Sequence, residues 1–394
     1  MNSVPVFHAY LFRMSRNSII LLLASVIGLL ALGITMLAST TFEVAQEDAE
    51  DYVTVWKQLS WLGLSVLACG AAALIDYNSW QRWSWLILIG AAVFLVLCYV
   101  PGIGVKINGS RRWIGIGSFR IQPSEFAKIA LLIALSAWFA KHETMVRSFR
   151  YGFLMPGLVL MGIVALIGCE FDLGSALLAS VVGLGVMFVA GTKLRYLALI
   201  ITLVLGALAA GIQFLPNRFE RVMVLLDLEG NKDKLGLQQW VSKLAFGSGG
   251  LEGRGLGEGR MKLSYLPEAH TDFIFPMVGE ELGLRGTAGT VLGFAILVMS
   301  GFMVAAYAPN RFGKLLGSGL TFLLGMEALL NMGVTTALLP NKGLPMPFVS
   351  YGGSSLLAAM IAIGILINIH RQGVHLHRED LPVIRRTHRW TPQL

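Results

Sequence analysis

Charged residues are scarce in this chain: of 394 residues, 31 are Lys or Arg and 23 are Asp or Glu, together 14%. Soluble domains usually carry about 25% charged residues, so the composition argues against a water-soluble enzyme and against a disordered protein. The apolar residues, 55% of the chain, form continuous runs rather than the alternating pattern of an outer-membrane barrel. A polytopic all-α membrane protein is therefore predicted.

Cysteine is also rare. Cys69, Cys98 and Cys169 lie inside apolar runs and lack the spacing of a metal site, so we interpret them as small core residues without a disulfide framework. The sequence has no nucleic-acid-binding motif either. Its net charge of +8 is expected to face anionic lipid, and nucleic acid is not an expected partner.

Ten apolar runs are bounded by charged or Gly- and Pro-rich residues, and each is long enough to cross a bilayer. They predict ten transmembrane helices. Because no internal repeat is present, the chain is predicted to form a single domain over residues 1–394. The runs cover residues 18–40, 58–75, 84–101, 124–140, 152–169, 174–191, 195–215, 274–308, 315–339 and 353–369.

The distribution of Lys and Arg predicts the orientation of these helices. The connections after even-numbered helices and the tail, residues 370–394, are basic, whereas the first connection is acidic. By the positive-inside rule both termini are cytoplasmic, and the long loop between helices 7 and 8, residues 216–272, is external. The external loop 102–123 breaks this rule, so we expect its cations to serve a ligand outside the membrane. These cations are Lys106, Arg111, Arg112 and Arg120.

Ionisable residues at membrane depth are energetically unfavourable, so each is expected to have a partner or a function. Glu125 and Lys128 lie three residues apart on one face of the fourth helix, where Ser124 is the expected N-cap. They are either an intrahelical ion pair or part of an outward-facing polar cavity that also includes Arg111 and Arg112.

An acidic segment, YLPEAHTDFIFPMVGEELG, lies where the long external loop meets the eighth helix. Glu268, His270 and Asp272 project to one side if this segment is extended. The eighth helix is expected to begin within residues 273–276, which places Asp272 just before it. Asp272 is then either a helix-capping carboxylate or a functional group.

Three further features complete the pattern. Residues 247–259 are Gly-rich but lack the ending of a phosphate-binding P-loop, so a flexible turn is predicted rather than a phosphate cradle. Residues 238–246 are predicted to be a short helix in the membrane interface or a solvated loop anchored by a tryptophan. On the ninth helix Glu327 and Asn331 share a face and are predicted to hold helices together.

Residues 340–355, PNKGLPMPFVSYGGSS, precede the last helix and contain three prolines. Non-helical backbone at membrane depth is tolerated only where it is buried in protein or lines a cavity. This segment, which carries Lys342, Ser350 and Ser354, is therefore predicted to form a wall beside a pocket.

Together these segments resemble the SEDS family of peptidoglycan glycosyltransferases. The resemblance covers residues 18–370 and includes RRWIGIG followed by IQPSEFAKIA, FDLGSA, FGSGGLEGRGLGEGRMKLSYLPEAHTDFIFPMVGEELG and LLPNKGLPMPFVSYGGSSLL. The segments EAHTDF and NKGLPMPFVSYGGSS are more similar to the division branch of that family than to its elongation branch.

The resemblance implies ten transmembrane helices and polymerisation of lipid II on the outer face of the bacterial cytoplasmic membrane, at the division septum. It implies a class B penicillin-binding protein transpeptidase and division-machinery proteins as partners. It also implies Asp272 as the catalytic aspartate, with Arg112, Glu125 and Lys128 lining the cavity. Two positions depart from the family pattern, since Phe171 stands in place of a proline and Val241 in place of a glutamine.

The implied reaction joins a sugar hydroxyl to an anomeric carbon whose leaving group is undecaprenyl pyrophosphate. Lys106, Arg111, Arg112 and Lys128 are expected to neutralise that pyrophosphate. Asp272 is expected to act as general base or to hold a divalent cation, Mg²⁺ or Mn²⁺; no cofactor is certain. The predicted substrate-binding residues are Arg111, Arg112, Glu125, Lys128, Glu268, His270, Lys342, Ser350 and Ser354.

These groups are expected to converge on one cavity that opens to the outside and sideways toward lipid. The alternatives are a lipid II flippase or transporter, an elongation-type polymerase, and a scaffold without activity. A transporter would place its ionisable residues near the bilayer midplane, within reach of both faces. Here they gather at the outer ends of the predicted helices, which favours the polymerase.

Overall fold

The computed structural model describes residues 4–42, 51–107, 110–116, 119–213, 220, 223–225, 227–232, 235–261 and 271–379. Within these ranges the chain forms helices and one small β-sheet. The helices are α1 (Val4–Phe42), α2 (Asp51–Leu74), α3 (Tyr77–Arg82), α4 (Ser84–Leu97), α5 (Pro123–Lys141), α6 (Met155–Cys169), α7 (Leu173–Ala190), α8 (Leu194–Gln213), α9 (Leu237–Gly249), α10 (Ile274–Ala306), α11 (Arg311–Thr335) and α12 (Gly353–Glu379).

Eight of the described helices are long and apolar enough to cross a membrane, and two shorter apolar helices cover Ser84–Leu97 and Leu194–Gly206. Each of the ten predicted apolar runs coincides with one of these helices. A π-helical turn, Arg150–Leu154, leads into α6 and extends that helix to membrane length. The predicted polytopic α-helical membrane fold is confirmed.

Helix α5 lies at the centre of the bundle. In its membrane-length window 83% of the residues are buried, against 33% in α1 and 28% in α2. It packs against α4, α7 and α11, while α2 packs on α12 and α1 on α10. The sequence of α5 is rich in Ala and Leu, so neighbouring helices approach closely from several sides.

The basic connection between α4 and α5 contains a three-stranded antiparallel sheet, which was not predicted from the sequence. Strands β1 (Gly104–Ile107), β2 (Ser110–Ile116) and β3 (Phe119–Ile121) lie side by side in that order. The dipeptide Asn-Gly at 108–109, between two stretches of β-forming residues, is the sequence signal for such a hairpin. The sheet places Lys106 on β1 and the two consecutive arginines on β2.

The helix starts near the predicted site differ in one respect from expectation. Helix α5 begins at Pro123 with Gln122 as its N-cap, so the prediction of Ser124 as N-cap was wrong. Pro123 occupies the first helical position, where its missing N–H is tolerated. Helix α10 begins at Ile274 as predicted, and Phe273 rather than Asp272 occupies its N-cap position.

Helix α9 confirms the short helix predicted over residues 238–246 and contradicts the loop interpretation. It packs on α10 and buries Gln239, Val241 and Ala245, and its position in the membrane interface stays a prediction. Gln239 Nε2 donates to the backbone oxygens of Val334 and Leu339, each at 2.8 Å. Helix α9 therefore docks on the end of α11, and it is followed by residues 250–261, here called the Gly-rich loop.

Candidate active site

Asp272 is held between α11 and the non-helical segment 337–352. Asn331 Nδ2 on α11 donates to the backbone oxygen of Asp272 at 2.8 Å and to that of Leu344 at 2.7 Å. The carboxylate lies against the Cα of Gly343, where a side-chain carbon would be only 2.3 Å from Asp272 Oδ2. The lack of a side chain at Gly343 thus leaves room for the carboxylate.

Lys342 extends from the same segment across the start of α7. A side-chain carbon added at Gly174, the second residue of that helix, would lie only 3.2 Å from the Cδ of Lys342. Because Lys342 is next to Gly343 in the chain, one short segment contacts both Asp272 and the first turn of α7. The structure therefore places Lys342 next to the residue that contacts the Asp272 carboxylate.

Asp172 connects α7 to the basic sheet and to α5. It is the N-cap of α7, accepts a hydrogen bond from Ser175 N at 3.1 Å, and accepts another from Gln122 Nε2 at 3.1 Å. Arg112 Nη1 lies 3.8 Å from Asp172 Oδ2. Arg112 Nε is buried without a hydrogen-bond partner among the described residues, so this guanidinium retains donor capacity.

Glu170, two residues earlier, is fully buried in the turn between α6 and α7. Neither of its carboxylate oxygens has an N–H or O–H donor among the described residues, and the thiol of Cys98 lies beside it. Burial raises the pKa of Glu170 to about 8; Asp172 adds to this increase and Arg112 opposes it. Burial therefore favours the protonated, neutral form of Glu170.

Phe171 separates these two acids and adopts a left-handed backbone conformation, with φ of 60°. Proline is confined to φ near −65°, so the proline common in the family could not adopt this turn. The turn between α6 and α7 in this chain thus depends on the residue that departs from the family pattern.

The two predicted serines are used inside the protein. Ser354 Oγ accepts from Gln122 N at 3.1 Å and donates to the backbone oxygen of Arg120 at 3.2 Å, which fixes the end of the sheet to α12. Ser350 Oγ accepts from Met346 N at 2.8 Å within its own turn. Contact of either serine with a substrate stays a prediction.

Lys128 is enclosed by two carboxylates. Its Nζ donates to both oxygens of Glu125 at 3.0 Å and also bonds Glu327 on α11, and its side chain is 2% exposed. The predicted ion pair is confirmed and extends to a second helix. Direct neutralisation of a pyrophosphate by Lys128 does not fit this arrangement, because its ammonium group is buried and already paired.

Glu327 lies one helical turn before Asn331 on α11. The ion pair with α5 therefore braces the helix whose next turn holds Asp272. The predicted role of Glu327 in joining helices is confirmed, whereas Asn331 joins α11 to the non-helical backbone at Asp272 and Leu344. Through α11, the ion pair of Lys128 with Glu327 also connects Glu125 and Lys128 indirectly to Asp272.

Other predicted residues stand apart from this contact network. Arg111 on β2 is exposed, as are Lys106 and Arg120. Glu268 and His270 lie outside the described residues, so the structure does not place them relative to Asp272.

The Gly-rich loop binds carboxylates of its own chain. Glu280 accepts hydrogen bonds from the backbone N–H groups of residues 260–261 at 2.9 and 3.1 Å. Glu281 accepts one from Gly257 N at 3.1 Å and is bonded by the hydroxyl of Ser39 on α1 at 2.6 Å. The predicted turn is confirmed, and its amides provide partners for two buried glutamates of α10.

The same loop compensates for a break in α10 at Gly283, where φ is 64° and ψ is −159°. The carbonyls of residues 280–281 accept from the N–H groups of residues 254–255 at 2.9 and 3.0 Å. In return, the N–H groups of residues 284–285 donate to the carbonyls of residues 250–251 at 2.9 and 3.4 Å. Backbone groups freed by the break are thus paired, as an apolar environment requires.

Sequence reasoning gave no role to five buried residues around this site. Asp172 had a recognisable signal, since Asp before Leu-Gly-Ser is a typical N-cap pattern. The two consecutive glutamates in an apolar helix were a weaker signal, because their partners are distant in sequence. The five residues are Gln122, Glu170, Asp172, Glu280 and Glu281.

Comparisons with known proteins agree with this architecture. A family model for FtsW, RodA and SpoVE, described as "Cell cycle protein", matches residues 19–375. A protein of Geobacter metallireducens named "Probable peptidoglycan glycosyltransferase FtsW" is 40% identical, over 92% of this chain and 97% of its own length. A protein of the same name from Pseudomonas fluorescens is 36% identical, over 91% and 90%.

Two solved structures are similar along most of the chain. One is from a study of "structural coordination of polymerization and crosslinking by a peptidoglycan synthase complex", with 29% identity, a TM-score of 0.73, and coverage of 89% of this chain and 97% of that one. The rod shape determining protein RodA of Thermus thermophilus has 28% identity, a TM-score of 0.66, and coverage of 89% and 96%. The resemblance predicted from the motifs is confirmed, and the chain belongs to the FtsW, RodA and SpoVE family of cell cycle proteins.

Proposed function

We propose that this chain is a peptidoglycan glycosyltransferase that polymerises lipid II, with Asp272 as its catalytic residue. The observation that carries the proposal is the fixing of Asp272 between Asn331 and Gly343, beside the cation Lys342. A carboxylate whose backbone is fixed by α11, in a site with basic residues, suits a transfer reaction with an anionic leaving group. The printed names of the relatives support the same activity.

In this mechanism the hydroxyl oxygen of the acceptor sugar attacks the anomeric carbon of the donor. The bond from that carbon to undecaprenyl pyrophosphate breaks, and Asp272 accepts the hydroxyl proton as general base. Lys342 and Arg112 neutralise the departing pyrophosphate, aided by the exposed Arg111. Glu125 and Lys128 act by bracing α11 rather than by touching the substrate.

A divalent cation between Asp272 and the pyrophosphate is a second role that we propose to test. Among the described residues, no group of three or more His, Cys, Asp or Glu side chains could hold a metal ion. Mg²⁺ in phosphate sites commonly takes only one or two carboxylates and completes its shell with phosphate oxygens and water, so Asp272 alone is compatible with it. Loss of polymerisation in a chelator, restored by Mg²⁺ or Mn²⁺, would favour this role.

We infer ten transmembrane helices with both termini in the cytoplasm, the shorter α4 and α8 completing the eight long ones. In this orientation α5, α7 and α10 begin, and α11 ends, on the outer face of the bacterial cytoplasmic membrane. Asp272 then faces the outside. A lateral opening there would let the polyprenyl tail stay in the bilayer, since moving each CH₂ into water costs ~0.8 kcal/mol.

A class B penicillin-binding protein transpeptidase is the partner that we propose, together with other division-machinery proteins at the septum. One similar solved structure comes from a synthase complex that coordinates polymerization with crosslinking, which a transpeptidase performs. The FtsW name of the relatives supports a role in division rather than in elongation.

The test is polymerisation of lipid II by the purified protein together with its transpeptidase, scored as glycan strands on a gel. Asp272→Asn should leave the unfolding temperature unchanged and abolish polymer, because the amide keeps the shape but loses the basicity. Asp76→Asn, at the N-cap of α3 on the other end of the bundle, is the matched control and should polymerise normally. Near-normal synthesis by Asp272→Asn would refute the assignment, and lipid II translocation without polymer would favour the flippase.

A further inference from the structure

An aromatic and basic surface lies at the end of the bundle opposite Asp272. Helix α5 starts beside the candidate active site and ends at Lys141 after 19 residues, or about 28 Å. At that far end α5, the π-helical turn before α6, and the start of α8 meet. We call this surface the inner-end cluster; it comprises Trp138, His142, Phe149, Arg150, Tyr151, Phe153, Lys193, Arg195 and Tyr196.

The rings of the cluster pack into two groups. In the first, Trp138 and His142 have ring centroids 4.2 Å apart, and His142 and Tyr151 are 4.9 Å apart. In the second, Phe149 and Phe153 from the connection before α6 pack on Tyr196 of α8, at 5.9 and 5.3 Å. Trp138 Nε1 also donates to the backbone oxygen of Tyr151 at 2.9 Å. The connection before α6 and the start of α8 are therefore held as a single surface.

Three exposed cations lie on these rings. Arg150 Cζ is 5.6 Å from the centre of the Tyr151 ring, Arg195 Cζ is 4.9 Å from that of Tyr196, and Lys193 Nζ is 5.9 Å from the same ring. Cation–π contact holds a charged group in place while leaving its hydrogen-bond donors available. Arg195 Nη2 also donates to the Tyr196 hydroxyl at 3.1 Å, and the other donors of these cations stay available on the surface.

Acidic residues do not neutralise these cations. Within residues 141–154 and 190–196 the one carboxylate is Glu143, and it is paired with Arg311. In the part of the chain that the structure describes, no salt bridge involves Arg150, Lys193 or Arg195.

Apolar side chains continue from the cations along the helices. Phe149 is 53% exposed, Leu158 is 59% exposed and Leu194 is 69% exposed. Each lies on a helix or turn that begins at the cluster, so positive charge is followed directly by lipid-facing surface. This sequence of chemistry matches a phospholipid, with its headgroup at the cations and its acyl chains along the helices.

We propose that the inner-end cluster binds an anionic phospholipid of the membrane. Arg150, Arg195 and Lys193 contact the phosphate, the two guanidinium groups as planar donors, and the acyl chains run along Phe149 and Leu194. Arginine suits this role because its paired N–H groups match two phosphate oxygens. The site is separate from Asp272 and does not depend on the catalytic proposal.

The test uses the full chain reconstituted in nanodiscs of equal parts phosphatidylglycerol and phosphatidylcholine, then released into mild detergent for native mass spectrometry. The wild type should retain phosphatidylglycerol in preference to phosphatidylcholine. The double substitution Arg150→Ala with Arg195→Ala should weaken this binding about 30-fold. Each cation near an anionic membrane surface strengthens binding by roughly fivefold, and this variant removes two of them. Arg150→Lys with Arg195→Lys should fall between the two, because charge remains but paired donors are lost.

The matched control is Arg82→Ala with Arg371→Ala, which removes two exposed cations from the same end of the bundle outside the cluster. It should retain the lipid as the wild type does. Equal losses in both double variants would overturn the proposal, as would equal retention of the two lipids by the wild type or displacement of the lipid by inorganic phosphate. The unfolding temperatures of all variants should agree. If the double alanine variant unfolds, the comparison of Arg150→Lys with Arg195→Lys against the wild type decides the outcome instead.

Discussion

Replacing Gly343 with alanine should disable the enzyme without unfolding it. A side-chain carbon at this position would lie 2.3 Å from Asp272 Oδ2, whereas ordinary contact begins at 3.4 Å. The carboxylate must therefore retreat by roughly 1 Å. It lies at the end of a rotatable side chain, so the free energy of folding should change by only about 0.5–1.5 kcal/mol, the cost of an unfavourable side-chain torsion.

The effect on catalysis should be much larger. A displacement of about 1 Å at a reacting group reduces rates on the order of 100-fold, because proton transfer requires hydrogen-bond distance in the transition state. The assay is the initial rate of glycan synthesis from lipid II, normalised to folded protein. The unfolding temperature, measured on the same sample, separates misplacement of Asp272 from loss of the fold.

Gly352→Ala is the control, since it lies in the same non-helical segment. A side-chain carbon there would meet Ser355 Cβ at 3.8 Å and Pro345 Cβ at 3.9 Å, which are ordinary contacts. This variant should retain most of the wild-type rate. Equal rates for Gly343→Ala and Gly352→Ala would show that the position of the Asp272 carboxylate does not limit the reaction.

Three further predictions concern buried groups around the site and are tested by thermal or denaturant unfolding of substituted variants. Burial raises the pKa of Glu170 from 4.5 to about 8, so between these pH values the folded state binds more protons than the unfolded state. The free energy of unfolding should therefore fall as the pH rises through this range, by up to about 1.4 kcal/mol per pH unit. Glu170→Gln should remove this slope, and an unchanged slope would refute the assignment. Glu281→Ala should destabilise more than Ser39→Ala, because it also leaves a loop amide unpaired; the reverse order would contradict the described contacts. Lys128→Met should lower the free energy of unfolding by roughly 3–5 kcal/mol, and adding Glu327→Gln should restore part of that loss. Unchanged stability of the single variant would show that the Lys128 ammonium group is not the partner of Glu125 and Glu327.

Local patterns in the sequence were sufficient to locate the helices and to place Asp272 just before one of them. Apolar runs fix where a chain can cross a bilayer, and Pro276 limits how early α10 can begin. The ion pair of Glu125 with Lys128 was also predictable, because residues three apart on a helix are neighbours. These features depend only on nearby residues.

Partners that are distant in sequence could not be predicted in the same way. Ser39 and Glu281 are 242 residues apart, and nothing in either segment identifies the other. Likewise, Lys128 and Glu327 are 199 residues apart, and neither segment identifies the other as its partner. The position of a buried charge in the sequence shows that a partner is needed, but only the packing of helices shows which one it has.

The break in α10 at Gly283 divides a helix that is too long for a bilayer. Its 33 residues span about 50 Å, against a hydrocarbon core of about 30 Å. Residues 284–306 alone match that thickness. An unbroken helix would have to tilt steeply or thicken the membrane, and Asp272 would move with it. Because the Gly-rich loop binds backbone groups on both sides of the break, residues 274–282, which follow Asp272, need not continue the direction of the part of α10 that crosses the membrane.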